Sequence, residues 1–137
     1  MIQETSAGII IYYKEKYLLL QYRKGHWDFA KGHVESLETL QQTAVRETKE
    51  ETNLDVEIIP GFREEISYKF RNRDKHLVKK TVYMFIGKPI THKINLSHEH
   101  KNHVWLSYDE AMLKLTYKNA QKMIERANRF ILSLPYR

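Results

Sequence analysis

The chain of 137 residues contains no cysteine, only three prolines and only five glycines. The absence of cysteine excludes disulfides, a thiolate nucleophile and zinc–cysteine sites. Its apolar runs fall far short of the about 20 residues that span a bilayer. The opening residues, MIQETSAG, lack the basic start and apolar core of a signal peptide. We therefore predict a cytosolic (cytoplasmic) protein with no membrane partner.

The composition is that of an ordinary soluble globular protein, with 42% apolar and 29% charged residues. The length suits one domain with a core of its own. No internal repeat or Pro/Gly/Ser-rich linker divides it. We expect a single domain over residues 1–137 and a monomer.

Charge is distributed unevenly along the chain. The net charge is +6, but residues 35–51 hold five glutamates against Arg46 and Lys49, a local charge of −3. An acidic cluster in a basic body suits a polyanionic ligand that binds through bridging cations. On charge alone, a nucleotide ligand, a nucleic acid and a merely solubilising surface fit equally well.

The acidic segment carries Glu47, Glu50 and Glu51 at the spacing i, i+3, i+4. On a helix these carboxylates spread over about 100° of one face. Carboxylates that close repel one another, and a divalent cation is the simplest compensation. Oxygen ligands favour Mg²⁺, with Mn²⁺ as the alternative.

The hydrophobic pattern predicts strands before and after this helix and two more helices at the end. The helix is predicted over 37–52 with Ser36 as N-cap, and later helices over 110–115, begun by Ser107 or Asp109, and 117–132. Predicted strands cover 6–13, 17–22, 27–30, 54–59, 62–70, 78–87 and 103–106. This order favours an α/β fold with a mixed sheet between helical layers.

The segment GHVESLETLQQTAVRETKEETNL, residues 32–54, resembles the signature of the Nudix hydrolases, G-x5-E-x7-R-E-U-x-E-E-x-G-U, in which U is apolar. Two positions depart from it. Thr48 stands where an aliphatic residue is usual, and Asn53 replaces a glycine expected in the left-handed conformation, which Asn tolerates best among other residues. The residues in register are Gly32, Glu38, Arg46, Glu47, Glu50 and Glu51.

The flanking segments SAGIIIYY, YLLLQ, HWDFAKGHVE and LSHEH…VWLSYDEA resemble those Nudix members that hydrolyse diadenosine tetraphosphate asymmetrically. Ala30 stands where proline is usual, which predicts a looser loop before Lys31. The resemblance implies a Nudix α/β/α sandwich with a mixed β-sheet. It also implies an Mg²⁺-dependent hydrolase acting on a small dinucleoside polyphosphate.

By this resemblance Glu47 and Glu51 bind metal together with the carbonyl of Gly32. Glu50 lies on the same face and serves as the water-activating base or as a further metal ligand. Glu99 in the downstream loop is the alternative base or an extra ligand. Sequence does not decide between Glu50 and Glu99, because the base must also reach the water.

Glu38 and Arg46 are eight residues apart, two turns along one side of the predicted helix. We interpret them as an ion pair that fixes the glycine loop and the ligand-bearing face, in preference to direct catalysis. Arg46 would then support turnover indirectly, by aligning Glu47 and Glu50.

Substrate contacts are expected on both sides of the signature. The resemblance places Lys31 and, with less support, His33 at the phosphates, although an isolated lysine is equally a surface residue. Trp27 alternates with Phe29, so one faces the core and the other the cleft.

The basic segment 69–80 offers further contacts. Lys79 or Lys80 would lie beside Tyr83, which matches an aromatic residue that stacks on adenine in the related enzymes. The alternative for Tyr83 is a half-buried strand residue, and for the segment a solvated loop.

Three functions remain open. The first is hydrolysis of diadenosine tetraphosphate to ATP and AMP. The second is pyrophosphate removal from an RNA 5′ end or a nucleoside triphosphate. The third, a non-catalytic nucleotide-binding module, is disfavoured because all four signature glutamates are kept. A zinc site at His98 and His100 is also disfavoured, since neither cysteine nor a third fixed histidine accompanies them.

Overall fold

The computed structural model describes residues 1–135, which form a mixed eight-stranded sheet and three helices. The parallel pair β1–β7 lies at its centre, and all other strand pairs are antiparallel. The strands are β1 (Ile2–Tyr13), β2 (Lys16–Tyr22), β3 (Trp27–Asp28), β4 (Ala30–His33), β5 (Val56–Ile58), β6 (Glu64–Arg71), β7 (Leu77–Pro89) and β8 (His100–Leu106). The helices are α1 (Leu40–Thr52), α2 (Tyr108–Lys114) and α3 (Lys118–Ser133).

Alternation along the two central strands sorts their side chains between two cores. Ile9, Ile11 and Phe85 pack on the side that holds Ala44 of α1. Ile10 and Ile86 pack on the other side, against the buried apolar face of α3. The predicted α/β/α sandwich is confirmed.

Helix α1 is shorter than predicted, and its N-cap is Thr39 rather than Ser36. The Thr39 side chain accepts a hydrogen bond from the backbone of Gln42, whose side chain accepts one from the Thr39 backbone. This reciprocal capping box satisfies two free N–H groups of the first turn, which Ser36 does not. At the other end Asn53 adopts φ 70° and ψ 1°, the left-handed conformation predicted for it.

The segment after Trp27 is more ordered than predicted. Ala30 is 2% exposed and pairs with Ile9, so the expected loose loop is strand β4, which continues through Gly32. The predicted β1–β2 hairpin is confirmed, with positive φ at both turn residues, Lys14 and Glu15.

Strand β6 begins two residues later than predicted and β8 three residues earlier. Helix α2 begins after Ser107, one of its two predicted N-caps, whose side chain accepts a hydrogen bond from the Glu110 backbone. Within residues 1–135 no helix is both long and apolar enough to cross a membrane.

Candidate active site

Arg46 is the hub of the acidic cluster. Its Nε donates to Glu38 Oε2 at 2.6 Å and its Nη2 to Glu38 Oε1 at 3.0 Å. Its Nη1 lies 2.9 Å from Glu47 Oε1 and 3.2 Å from both oxygens of Glu50. Nη2 also donates to the His33 carbonyl at 3.0 Å, which ties β4 to α1.

The predicted Glu38–Arg46 ion pair is present, but its geometry differs from the prediction. Glu38 lies in the turn before α1 rather than two helical turns from Arg46, and also accepts bonds from Thr43 and the Glu35 backbone. The hydrogen bonds from Arg46 lower the pKa of Glu38 to about 2. They also raise the pKa of Arg46 above its usual range. The pair therefore stays charged and holds the turn against the helix.

Gly32 brings β4 against the acidic face of α1. A Cβ added at Gly32 would lie 2.0 Å from Glu47 Cδ. No side chain fits in that space, so glycine lets the strand backbone and the Glu47 carboxylate touch. Gly32 and Glu47, both predicted to contribute metal ligands, thus lie side by side.

Glu51 is the buried acid of the cluster, 3% exposed. Burial first, and then the neighbouring Glu47, raise its pKa to about 9. Its Oε1 has no hydrogen-bond partner. A buried carboxyl group without full hydrogen bonding, beside other carboxylates, fits a ligand of a divalent cation.

The carboxylate oxygens of Glu47, Glu50 and Glu51 do not converge on one point. Among residues 1–135 no three His, Asp or Glu side chains converge as ligands of one ion would. Glu47 and Glu50 instead turn toward Arg46. Because both lie on one face of α1 with Glu51, rotation of their side chains is enough to bring the oxygens together.

The loop 97–100 closes over the end of α1. The Ser97 N–H donates to the Glu51 carbonyl at 3.1 Å. Burial is the main cause of the raised pKa of Glu51 and of Tyr22, and the charge of Glu99 adds to both. The Glu99 carbonyl accepts a hydrogen bond at 3.0 Å from the N–H of Arg23, the residue after Tyr22. His100, at the end of this loop, is buried with Nε2 3.4 Å from Glu51 Oε1, and burial lowers its pKa below the usual range. We treat the imidazole as neutral, so this contact is not an ion pair.

A cavity of about 630 Å³ opens on the α3 side of the sheet, next to the acidic cluster. Its wall toward the cluster is Tyr22, which stacks on His26 at 4.5 Å and donates to the Phe29 carbonyl at 2.9 Å. Aromatic rings, apolar side chains and a few polar groups suit a nucleoside. The lining residues are Tyr22, His26, Asp28, Phe29, Lys31, Ile66, Tyr68, Val82, Met84, Tyr117, Lys118, Asn119, Ala120 and Met123.

One predicted substrate residue lines this cavity, and two more lie on the same side of the sheet. Lys31 lines it, and its ammonium is held by Asp28 at 2.6 Å. His33 is exposed, two residues along β4 on the same face. Lys80 shares the cavity-facing side of β7 with Val82 and pairs with Glu4 at 3.6 Å. Burial lowers the pKa of Lys80, and the charge of Lys31 adds to this.

Three predicted substrate residues lie elsewhere. Tyr83 and Lys79 point to the opposite face of β7, because alternate strand residues face opposite sides. There the Tyr83 ring lies 5.6 Å from the Arg63 guanidinium and packs on the α1 core. Trp27 packs against the α3 core and carries Lys114 Nζ 4.6 Å from its ring, while its neighbour Phe29 lines the cavity.

Sequence reasoning missed the aromatic residues that do line the cavity, above all Tyr22, Tyr68 and Tyr117. The residues that face the cavity are distinguished by the alternation of side chains along β6 and β7 and by the cross-strand pairing of these strands. Tyr68 pairs with Lys80, which places both on one face, whereas Tyr83 pairs with Glu65 on the other. Only the pairing register, which sequence does not show, separates the two tyrosines.

The chain matches the NUDIX domain over residues 3–127. It therefore belongs to the Nudix family. The fold and the position of the acidic helix described above agree with this membership.

The most similar proteins include asymmetrical bis(5′-nucleosyl)-tetraphosphatases. The Sus scrofa enzyme is 35% identical over 124 residues, which cover 87% of this chain and 82% of that protein. The Caenorhabditis elegans enzyme is 32% identical over 92% of this chain and 95% of that protein. A crystal structure of a C. elegans Ap4A hydrolase binary complex superposes with a TM-score of 0.83, at 30% identity, over 96% of this chain and 99% of that one.

The raised pKa of Glu51 predicts a pH-dependent stability in the metal-free protein. In the unfolded chain the carboxyl loses its proton near pH 4.3, but in the folded protein only near pH 9. Its stabilising contribution is therefore complete below about pH 4 and is lost as the pH rises toward 9, by at most about 1.4 kcal/mol per pH unit. Glu51→Gln should flatten this slope, measured by urea unfolding in EDTA between pH 5 and 8.5.

Glu50→Gln is the matched control, because Glu50 is an exposed carboxylate on the same helix face. It should keep the wild-type slope. Parallel curves for Glu51→Gln and the wild type would contradict the assigned burial of an uncompensated acid.

Proposed function

We propose that this protein hydrolyses nucleoside polyphosphates with Mg²⁺, and that its main substrate is diadenosine tetraphosphate, which gives ATP and AMP. The proposal rests on the position of Tyr22, which separates the acidic cluster from the cavity. On one side of it lies the acidic cluster suited to cations, which Tyr22 approaches through His100, and on the other a cavity suited to a nucleoside. A nucleoside in the cavity would direct its phosphates toward the carboxylates. The relatives named for this reaction support the choice of substrate.

We assign Glu47, Glu51 and the Gly32 carbonyl to the metal, with Glu50 as a further ligand. Mg²⁺ suits the all-oxygen set, and Mn²⁺ can replace it. A bound divalent cation would neutralise phosphate charge and acidify the attacking water. Arg46 and Glu38 position these ligands and do not touch substrate.

Two carboxylates can accept the proton of the attacking water. Glu50 directs both oxygens at Arg46, whereas Glu99 makes no ion pair within residues 1–135. The charge of Glu99 also acts on Tyr22 in the cavity wall. We therefore propose Glu99 as the proton acceptor and Glu50 as the alternative. The water oxygen bonds to phosphorus, its proton passes to this carboxylate, and the bond to the leaving phosphate breaks.

For the substrate we assign Lys31, His33 and Lys80 to the phosphates, because they share the face that leads from the cavity to β4. Tyr22 and Tyr68 take the stacking role that sequence assigned to Tyr83. We further propose that one domain over residues 1–137 acts as a cytosolic monomer. The exposed basic hairpin, with Lys69 directly opposite Lys79, keeps an RNA 5′ end as the second candidate substrate.

Product analysis tests the proposed reaction. Diadenosine tetraphosphate with Mg²⁺ should give ATP and AMP in equal amounts, and Glu51→Gln should lower kcat by at least two orders of magnitude while the protein stays folded. Two equivalents of ADP, or turnover only of a 5′-triphosphorylated oligonucleotide, would contradict the substrate assignment. Near-normal turnover by Glu51→Gln would contradict the metal-ligand role.

The cavity assignment predicts opposite outcomes for two tyrosines. Tyr68→Ala should remove one stacking surface, a loss of about 1–3 kcal/mol. This raises KM for diadenosine tetraphosphate roughly 5- to 150-fold, with a smaller change in kcat. Tyr83→Ala removes a ring on the opposite face of the sheet and should leave KM within about twofold. The reverse pattern would restore Tyr83 as the stacking residue.

A further inference from the structure

His100 is a buried histidine to which the proposed reaction gives no role. It is 2% exposed, at the first residue of β8. Its Nδ1 lies 3.1 Å from Ser97 Oγ, and its Nε2 lies 3.4 Å from Glu51 Oε1. Neither Nε2 nor Glu51 Oε1 has a hydrogen-bond partner. Two buried polar atoms without partners therefore face each other.

The contacts of both ring nitrogens favour a proton on Nε2, since an unprotonated Nε2 would face the Glu51 oxygen lone pair to lone pair. Ser97 Oγ accepts the backbone N–H of Glu99 at 3.4 Å, so its own hydroxyl proton is free to point at His100 Nδ1. A neutral imidazole that accepts at Nδ1 must carry its proton on Nε2. That N–H then faces the Glu51 carboxylate, the acceptor that a buried donor needs.

We propose that His100 is a positioning residue, whose Nε2–H holds one oxygen of Glu51 so that the other is presented to the cation. The inference rests on the proposed function only in taking Glu51 as a metal ligand. The present 3.4 Å separation exceeds a hydrogen bond by a few tenths of an ångström. A small rotation of the Glu51 side chain closes that gap.

Two further contacts keep His100 in place. The rings of His100 and Tyr22 pack edge to face at 4.2 Å between centroids, which holds the imidazole beside Glu51. The Ser97 N–H holds the Glu51 backbone carbonyl at 3.1 Å. The loop 97–100 thus contacts Glu51 twice, through Ser97 at the backbone and through His100 at the side chain. Glu99 lies between these two residues in the sequence.

A packing role alone predicts something different. If His100 merely filled space, phenylalanine would replace it without any effect on the metal. If His100 holds Glu51, the variant must supply an N–H donor at that place. Ligand-orienting partners of this kind typically change metal affinity by 10–100-fold when removed.

The test compares His100→Phe, His100→Gln and His100→Ala by Mn²⁺ titration, with free Mn²⁺ followed by electron paramagnetic resonance. His100→Phe and His100→Ala should raise the Kd for Mn²⁺ by roughly 10–100-fold. His100→Gln, which keeps an amide N–H, should recover most of the affinity. His103→Ala is the control, because His103 is an exposed histidine on the same strand.

Urea unfolding in EDTA shows which variants are folded. If His100→Ala does not fold, the Phe and Gln variants still test the proposal, because their side chains fill the site. Wild-type Mn²⁺ affinity in folded His100→Phe, or no Mn²⁺ binding by the wild type, would overturn the proposal. The proposed function fails separately, if the wild type binds Mn²⁺ but cleaves no dinucleoside polyphosphate.

Discussion

The site depends on one guanidinium that compensates a crowd of carboxylates. Arg46 donates to Glu38, Glu47 and Glu50 and to the His33 carbonyl, and so joins strand β4, the turn before α1 and the helix itself. Without it, acids on one helix face would repel one another and the glycine strand would have no electrostatic tie to them. Charge-assisted, partly bidentate bonds of this kind are stronger and more directional than ordinary ones. Arg46 makes no hydrogen bond to Glu51, whose Oε1 faces His100 and whose other oxygen is left for a cation.

The sheet determines where the two halves of the site meet. The parallel β1–β7 pair directs alternate residues to opposite faces, so α1 lies on one side and the cavity on the other. Successive residues of strand β4 face the two sides in turn. Gly32 lies against Glu47, while Lys31 lines the cavity. The acidic cluster and the cavity therefore adjoin across β4 and Tyr22, and a polyphosphate that passes this edge can reach both.

Much of this was predictable from sequence. The acid spacing, the Glu38–Arg46 pair and the left-handed Asn53 were all expected and are present. The N-cap was predicted wrongly, because Ser36 and Thr39 both offer a hydroxyl and only the partner side chain of Gln42 decides between them. The side of the sheet that each strand residue faces was predicted least well. Tyr83 and Tyr68 are both strand tyrosines in a basic segment, and only the pairing register shows which one faces the cavity.

Glu51 is buried and protonated in the metal-free protein, and a bound cation replaces that proton. Its pKa of about 9 in the metal-free protein means that the carboxyl must lose a proton to bind a cation at neutral pH. Calorimetric titration with Mg²⁺ or Mn²⁺ at pH 7, repeated in buffers of different ionisation enthalpy, counts the protons released. Metal binding should release about one proton in the wild type and none from this site in Glu51→Gln. Binding without proton release, or no binding, would contradict this prediction.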